Sequence, residues 1–251
     1  MLNYIADISN WKLYEKKDDN LEYILTLLDE TEELDDIEYV CLEVWNTESF
    51  VSNTHPKYMS FYKENEFPVE WYSVVKYECD KRNLKLVFVP RDAYTIKKIE
   101  IETGNKIFGI HSNDLTFTPL IKKLSSISDK LFMWVGNNEI NNIESSYKII
   151  KENYKNILTI IHNQTEQDTT LEDACFARID DLRHMFKGNF IGYHSTSELT
   201  DAITLTNIAT AMGCNTLCFN YGTIELNKDK IKHVLQSNNT VHKIVTTSPK
   251  T

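Results

Sequence analysis

The sequence predicts a single (β/α)8 barrel, or TIM barrel, that spans residues 1–251. Eight short runs rich in β-branched and aromatic residues alternate with helix-like patterns along the whole chain. Most of these runs are continuously apolar, as expected for parallel strands that helices cover on the outside. The length of 251 residues suits one barrel, and no Gly-rich motif follows the first strand to favour an open dinucleotide-binding sheet.

The predicted strands share a short apolar core and a polar or Gly-containing boundary. In chain order they are Tyr4–Ala6, Tyr39–Trp45, Leu84–Val89, Ile107–Ile110, Leu131–Val135, Ile157–Ile161, Phe190–Tyr193 and Thr216–Phe219. The helical patterns repeat apolar residues every three to four positions. They are Leu21–Leu28, Val69–Lys81, Ala93–Glu102, Thr116–Leu124, Ile140–Glu152, Leu171–Phe186, Glu198–Met212 and Lys228–Gln236.

Capping residues support several of these boundaries. Asp92 and Ser197 stand where helices should start, and Gly188 and Gly213 stand where helices should stop. The segment Glu48–Pro68 has few regular signals and is predicted to be a long loop over the carboxyl edge of the barrel.

Composition and charge exclude several classes of function. The net charge is −10 and no basic cluster with interleaved aromatic residues occurs, so we expect no nucleic-acid partner. The chain has no signal peptide and no apolar run long enough to cross a membrane, which predicts a cytoplasmic protein without a membrane partner. The five cysteines are scattered and odd in number, so no disulfide framework is expected.

Polar residues collect where the predicted strands end. The stretch Lys106–Ile121 is typical, because an apolar strand leads into a knot of four polar residues at 111–114 before a helix begins. Parallel α/β barrels place their chemistry at this edge. The expected rim residues are Asp7, Glu43, Arg91, His111, Asp114, Asn137, His162 and His194.

A metal site is one interpretation of this rim. Two or three of His111, His162 and His194, joined by Glu43 or Asp114, would suit zinc, manganese or iron. Each histidine alone is more often a structural group, and both alternatives stay open.

The other rim residues also have two interpretations each. Arg91, together with Ser112 and Asn113, could bind a phosphate or carboxylate, or Arg91 could form a salt bridge to Asp92 or Asp114. Asp114 could be a general acid or base if burial raised its pKa, or it could cap the helix that starts near Thr116.

Each aromatic residue near the rim also has two interpretations, a role at the ligand site or a structural role. Trp45 and Trp134 could stack on a ligand, but packing inside the barrel is the default. Tyr58, Phe61 and Tyr62 of the long loop could form a lid or could pin the loop.

Several segments, taken in order, resemble the N-terminal barrel of the sialic acid synthase family. The similar stretches are Tyr4-Ile5-Ala6-Asp7, Phe88-Val89-Pro90-Arg91-Asp92, Ile110-His111-Ser112-Asn113-Asp114, Ile143-Glu144-Ser145, Ile160-Ile161-His162 and Ile191-Gly192-Tyr193-His194-Ser195-Thr196. The resemblance covers most of residues 1–225. It implies a TIM barrel and an ancestry in the condensation of phosphoenolpyruvate with an amino sugar, which makes sialic and other nonulosonic acids.

The sequence departs from the family pattern at catalytic positions. Glu43 corresponds to a family lysine, Gly109 to a second lysine, and Asp114 to a glutamate. The two histidines that hold the family's manganese or magnesium correspond to Thr196 and Asn220. The resemblance also implies a C-terminal antifreeze-like domain, and we expect it to be absent from this chain.

These features lead to two functional hypotheses. The first is a phosphoenolpyruvate-dependent sugar-acid synthase relative, a transferase of carbohydrate biosynthesis whose activity is altered or lost. The alternative is a non-catalytic barrel, or pseudoenzyme, that binds a sugar-acid metabolite or a partner protein. A divalent metal (manganese, magnesium or zinc) is the cofactor to test. The expected ligand is a sugar or phosphorylated metabolite, and the expected assembly is a homodimer or a complex with a partner that supplies the missing domain.

Each candidate site residue has an expected role. Asp114, Glu43 and His162 are the candidate catalytic residues. The candidate substrate-binding residues are Ser112, Asn113, Arg91, Asn137, His194 and Ser195. His111, His162 and His194 are the candidate metal ligands.

Overall fold

The computed structural model describes residues 2–9, 20–52, 54, 56–163, 174–196, 199–222 and 227–247. The described chain forms a closed barrel of eight parallel strands in sequential order, with β8 paired to β1. The predicted (β/α)8 barrel is therefore confirmed.

The strands lie close to their predicted positions. They are β1 Asn3–Asp7, β2 Ile37–Val44, β3 Lys85–Pro90, β4 Ile107–Ile110, β5 Lys130–Trp134, β6 Thr159–Asn163, β7 Phe190–Ser195 and β8 Thr216–Asn220. The sixth strand lies two residues further along the chain than its apolar run suggests, because His162 and Asn163 also pair with β7.

Helices follow the strands around the outside. Those described are α1 Asn20–Glu32, α2 Thr47–Phe50, α3 Pro56–Glu64, α4 Tyr72–Lys81, α5 Ala93–Thr103, α6 Thr118–Ile127, α7 Ile140–Asn153, α8 Ala177–Met185, α9 Leu199–Ala211 and α10 Lys228–Thr246. Residues 171–173 of the sixth predicted helical pattern, Leu171–Phe186, and the predicted cap Ser197 lie outside the described residues.

The prediction of a structureless loop at Glu48–Pro68 was wrong. The segment contains the short helices α2 and α3. Aromatic packing holds them to the barrel, because the Tyr62 ring stands edge-on to Trp45 at 5.4 Å between ring centroids. Glu66 also accepts hydrogen bonds from the Thr47 backbone N–H and the Asn46 side chain. Helices of four and nine residues carry too little periodicity to be recognised from the sequence.

Alternation along the strands separates two apolar clusters. The larger cluster lies between the barrel and its helices, and the smaller one fills the barrel interior. The interior cluster consists of Ile5, Tyr39, Cys41, Val87, Val89, Phe132, Trp134, Ile161 and Cys218. Since side chains alternate between the two faces of a strand, the interior residue two positions further along each strand reaches the mouth of the barrel.

The structure also bears on two further expectations, one about disulfide bonds and one about membrane-spanning helices. All five cysteines are free thiols, as expected from their spacing. Among the described residues, no helix has the length and hydropathy needed to cross a membrane.

The predicted cap Asp92 ties two elements together, and its loss is expected to cost more than an ordinary cap. Asp92 accepts from the Thr95 backbone N–H at 2.8 Å, as an N-cap does, and its other oxygen accepts from the Asn46 backbone N–H at 2.8 Å. Both bonds are shielded, because Asp92 is only 4% exposed. We expect Asp92→Ala to lower the free energy of unfolding by about 2–3 kcal/mol in urea titrations.

The matched control is Asn227→Ala. Asn227 caps α10 through one exposed bond to the Lys230 N–H, so its loss is expected to cost about 1 kcal/mol or less. Equal losses in the two variants would contradict the bridging role of Asp92.

Candidate active site

A cavity of about 70 Å³ opens at the carboxyl edge of the barrel. Seven strands or strand ends contribute to it, since the lining residues are Asp7, Ser9, Cys41, Glu43, Val89, His111, Trp134, Asn163 and His194. Of the predicted site residues, Glu43, His111 and His194 therefore meet in one place. Ionisable groups around an enclosed space are typical of a ligand site.

Arg91 forms salt bridges to two carboxylates beside this cavity. Its Nε donates to Asp114 Oδ2 at 2.5 Å, and its Nη1 forms an ion pair with Glu43. The Phe50 ring of α2 covers the guanidinium, with 4.7 Å from Cζ to the ring centroid. Of the two interpretations of Arg91, the salt bridge to Asp114 is the one present. Asp114 lies in a 3-10 turn, and α6 begins later, at Thr118, so Asp114 does not cap that helix.

The charges around Arg91 set the ionisation of Glu43. Burial raises the pKa of Glu43, but the charges of His111 and Arg91 outweigh this effect, and the net result is a lowered pKa. Glu43 is therefore a carboxylate at neutral pH. Its backbone N–H donates to the Ser9 hydroxyl at 2.8 Å, which fixes the end of β2 against the end of β1.

His194 is held on both ring nitrogens. The Trp134 indole Nε1 donates to His194 Nδ1 at 3.2 Å, and Nε2 lies 3.0 Å from Asn220 Oδ1. An indole N–H can only donate, so Nδ1 must be the acceptor and the ring proton sits on Nε2. Burial lowers the pKa of His194, although the charge of Asp7 opposes the change. His194 is thus a neutral Nε2–H donor.

His111 has the same tautomer for the same reason. Its Nδ1 accepts from the Asn113 backbone N–H at 3.0 Å, so its proton is also on Nε2. Burial lowers the pKa of His111, with Glu43 opposing and Arg91 adding to this effect. Both imidazoles of the cavity therefore offer N–H groups rather than free lone pairs.

The expectation that His162 belongs to the rim is not met. His162 is fully buried on the outer face of β6, where Nε2 lies 3.1 Å from the Ala174 carbonyl oxygen and the ring packs near Tyr193. Burial lowers its pKa to about 4. Alternation in β6 turns its neighbour Asn163 into the cavity instead. His162 is neither a catalytic candidate nor a metal ligand in this arrangement.

The predicted substrate-binding residues outside the cavity are dispersed. Asn113 and Asn137 are exposed, whereas Ser112 and Ser195 are buried, and their hydroxyl groups have no hydrogen-bond partner among the described residues. The Ser112 carbonyl accepts from the Asn138 side chain at 2.8 Å, and the Asn138 carbonyl in turn accepts from Arg178 Nη2. Arg178 Nε is buried and also has no partner within the part of the chain that the structure describes. The structure thus groups Ser112 with Arg178, which the sequence did not single out.

Sequence reasoning missed the cavity residues Ser9, Cys41, Val89 and Asn163, and also the hydrogen-bonding role of Trp134. Alternation along β2 and β6 identifies Cys41 and Asn163 only once the structure shows which face of each strand points inward. Trp45 packs as expected, donating to the Tyr62 carbonyl at 3.0 Å. Tyr62 pins the loop, while Tyr58 and Phe61 are 63% and 53% exposed.

Ionisation of Asp7 lowers the stability of the folded chain, so this effect depends on pH. Burial raises the pKa of Asp7, and the partial compensation from His194 does not cancel this effect. A carboxyl with a raised pKa in the folded state holds its proton longer than in the unfolded state, where the pKa is about 3.9. Stability therefore falls as the pH rises from about 4 through the folded-state pKa.

We expect Asp7→Asn to remove this loss. Its free energy of unfolding should exceed that of the unmodified chain at neutral pH, and the difference should shrink towards about pH 4. Asp181→Asn, an exposed change on α8, is the control. Urea titrations between pH 4 and 8 make the comparison. A pH-independent difference would contradict the assignment.

The donor set does not suit a divalent metal. The described residues contain one group with suitable spacing, Asp7, His194 and Cys218, whose ligand atoms lie within 4.8 Å of one another. However, His194 Nε2 carries the ring proton and donates it to Asn220 Oδ1, so it offers no lone pair to a metal, and burial raises the pKa of the Cys218 thiol well above its usual range. The positions Thr196 and Asn220 supply no imidazole. The residues present do not fit the metal that the family resemblance implies.

The closed parallel barrel, with its ionisable cavity at the carboxyl edge, defines a (β/α)8 barrel protein with a candidate ligand site at its mouth. Residues 40–219, well over half of the chain, match the family model of the NeuB family. The chain belongs to the NeuB family.

Known relatives and structures agree with this assignment. The N,N'-diacetyllegionaminic acid synthase of Campylobacter jejuni is 26% identical over 135 residues, or 53% of this chain and 39% of the relative. An uncharacterized protein of Methanocaldococcus jannaschii is 24% identical over 195 residues, or 77% of this chain and 55% of the relative. The chain thus spans about half or less of the length of these relatives.

Two solved structures share the fold. The N-acetylneuraminic acid (sialic acid) synthetase of Leptospira borgpetersenii, determined with citrate, has a TM-score of 0.85 at 18% identity and covers 100% of this chain and 87% of its own. The putative spore coat polysaccharide biosynthesis protein E of Chromobacterium violaceum has a TM-score of 0.87 at 19% identity, with 100% and 77% covered. At these identities the likeness establishes the fold.

Proposed function

We propose that this chain acts in carbohydrate biosynthesis as a sugar-acid synthase-like enzyme that binds an amino sugar at the mouth of the barrel. The observation that carries the proposal is the cavity itself, whose lining includes the Glu43 carboxylate and the His111 imidazole with its proton on Nε2. Carboxylates accept from sugar hydroxyl groups, and N–H groups donate to sugar or aldehyde oxygens. Membership of the NeuB family supports the pathway.

The reaction we propose is a condensation with phosphoenolpyruvate. The methylene carbon (C3) of phosphoenolpyruvate forms a bond to the aldehyde carbon of the sugar, and the aldehyde oxygen takes a proton to become a hydroxyl. Water adds to C2, the carbon that bears the phosphate, and phosphate leaves from C2 to give a 2-keto acid. In this chain, the Nε2–H group of His111 would polarise the aldehyde oxygen. A neutral imidazole donates without carrying a charge into the buried site, and the lowered pKa of His111 keeps it in that form.

Ser112 and Arg178 are the groups we assign to the phosphate. Each has a buried polar atom, Ser112 Oγ or Arg178 Nε, with no partner among the residues that the structure describes, and Asn138 connects the two residues. Asn138 follows Gly136, whose N–H donates to the cavity residue Asn163 at 2.7 Å. A hydroxyl and a guanidinium next to the cavity have the donor chemistry that a phosphate needs.

The test is a turnover assay with phosphoenolpyruvate and a panel of amino sugars, read as phosphate release together with 2-keto acid formation. Arg178→Met should raise KM for phosphoenolpyruvate, whereas Arg183→Met on the same helix should not, because Arg183 is engaged with Asp180 and the Met212 carbonyl. No keto acid with any sugar in the panel would sink the condensation.

A second candidate follows from Arg91. Its guanidinium is engaged by Glu43 and Asp114, so it is not available to a substrate anion. This observation favours a barrel that binds the sugar without condensing it. Calorimetric sugar binding in the absence of turnover is the outcome expected for that candidate.

A further inference from the structure

Trp134 lies where its packing controls which ring nitrogen of His194 carries the proton. Its ring packs over Gly109, where a built Cβ atom would lie 2.6 Å from Trp134 Cζ3. This packing, with 5% exposure of the side chain, holds the indole N–H against His194 Nδ1 at 3.2 Å. Because the donor cannot turn away without leaving its place in the barrel interior, the His194 tautomer is fixed by packing.

A metal-binding histidine needs the opposite arrangement. The coordinating nitrogen must offer a lone pair, and the other ring nitrogen usually donates its proton to an oxygen acceptor. Coordination through His194 Nε2 would move the ring proton to Nδ1, where it would face the Trp134 N–H. Both buried donors would then lack an acceptor. Asn220 Oδ1, which now faces Nε2, would lose its donor as well.

Without that indole donor, the neighbouring groups form a recognisable ligand set. Asp7 Oδ2 lies 3.9 Å from His194 Nε2, and Cys218 completes a group within 4.8 Å. Carboxylate, imidazole and thiolate together suit zinc or cobalt. The cavity next to them has room for water as a fourth ligand.

We propose that Trp134 excludes divalent metal from this mouth by fixing His194 as an Nε2–H donor, and that Trp134→Phe uncovers a latent site at Asp7, His194 and Cys218. In the unmodified chain, hydrogen-bond donors rather than a divalent metal therefore act at the barrel mouth. Metal uptake is measured directly, so this proposal can fail or succeed independently of the proposed function.

The experiment is a titration of the chelator-treated full chain with cobalt(II), followed by thiolate-to-cobalt absorption, and with zinc, followed by calorimetry. Trp134→Phe is expected to bind one equivalent at least about 30-fold more tightly than the unmodified chain, because two buried donors are no longer left unpaired. The double variant Trp134→Phe, Cys218→Ser should lose the thiolate band, and Trp134→Phe, His194→Gln should lose the tight site.

Tight stoichiometric binding by the unmodified chain, with a thiolate band, would overturn the proposal. A folded Trp134→Phe variant with no gain in affinity, or with a gain that His194→Gln does not remove, would do the same. If circular dichroism shows that Trp134→Phe does not fold, nitrogen-15 NMR of the unmodified chain decides the matter. The proposal requires the His194 ring proton on Nε2, and a proton on Nδ1 would refute it.

Discussion

Replacing Arg91 with methionine is expected to lower the free energy of unfolding by about 3–5 kcal/mol at pH 7. Arg91 is 7% exposed, and its removal leaves the partly buried carboxylate of Glu43 and the buried carboxylate of Asp114 without the cation that they share. Loss of one partner of a buried ion pair costs more than the pair contributes, because the remaining charge stays desolvated. Urea denaturation followed by circular dichroism measures the change.

The loss of stability caused by Arg91→Met is expected to depend on pH in a predictable direction. The charges of His111 and Arg91 overcome burial and keep the pKa of Glu43 below its usual value, so its contribution to stability is present above about pH 4.3 and is lost as the pH falls. The gap between the unmodified chain and Arg91→Met should therefore be widest near neutral pH. It should narrow under acid conditions, where protonation relieves the repulsion between the two carboxyl groups.

Arg82→Met is the matched control for Arg91→Met. Arg82 pairs with three carboxylates, those of Asp29, Glu32 and Glu78, but Asp29 and Glu32 are 62% and 53% exposed and water can solvate them when the arginine is lost. The expected cost is about 1 kcal/mol or less. The triple change Arg91→Met, Glu43→Gln, Asp114→Asn should recover much of the stability lost in Arg91→Met. Similar costs for Arg82 and Arg91 would contradict the role of burial.

Glu43→Gln is expected to weaken binding of the amino sugar by about 10- to 100-fold, which corresponds to the loss of one charge-assisted hydrogen bond. Glu43 is the ionised carboxylate of the cavity, and its side chain is 24% exposed there. Glutamine keeps the size of the side chain but accepts more weakly. Calorimetry with the sugar that supports turnover, or that binds without turnover, measures the loss.

Glu43→Gln also disturbs Arg91, and this effect needs its own control. Asp114→Asn removes the other carboxylate partner of Arg91, but Asp114 does not line the cavity. The loss of sugar affinity should therefore be clearly smaller in Asp114→Asn than in Glu43→Gln. Equal losses would mean that the position of Arg91, rather than the carboxylate of Glu43, controls binding.

Much of the fold was predictable because it depends on local patterns. Short, mostly apolar runs such as Leu84–Val89, which only Lys85 interrupts, favour strands with both faces covered, and Asp92 is a cap because its side chain reaches the N–H three residues later. The regular alternation of strands and helices then leaves few topologies, of which the closed barrel is one. Free cysteines follow from their spacing for the same local reason.

The site was only partly predictable. Local sequence patterns indicate where each strand ends, but they do not indicate which side chains from other strands will lie next to its own. The sequence by itself determined a (β/α)8 barrel with Glu43, His111 and His194 at its carboxyl edge. The tertiary structure alone decided that Asn163, and not His162, faces the cavity, because barrel closure fixes which face of β6 points inward. It also decided that Arg91 joins Glu43 to Asp114 and that Trp134 sets the tautomer of His194. These partners are 23 to 60 residues apart in the chain, and only the packing of the closed barrel brings their atoms within hydrogen-bond distance.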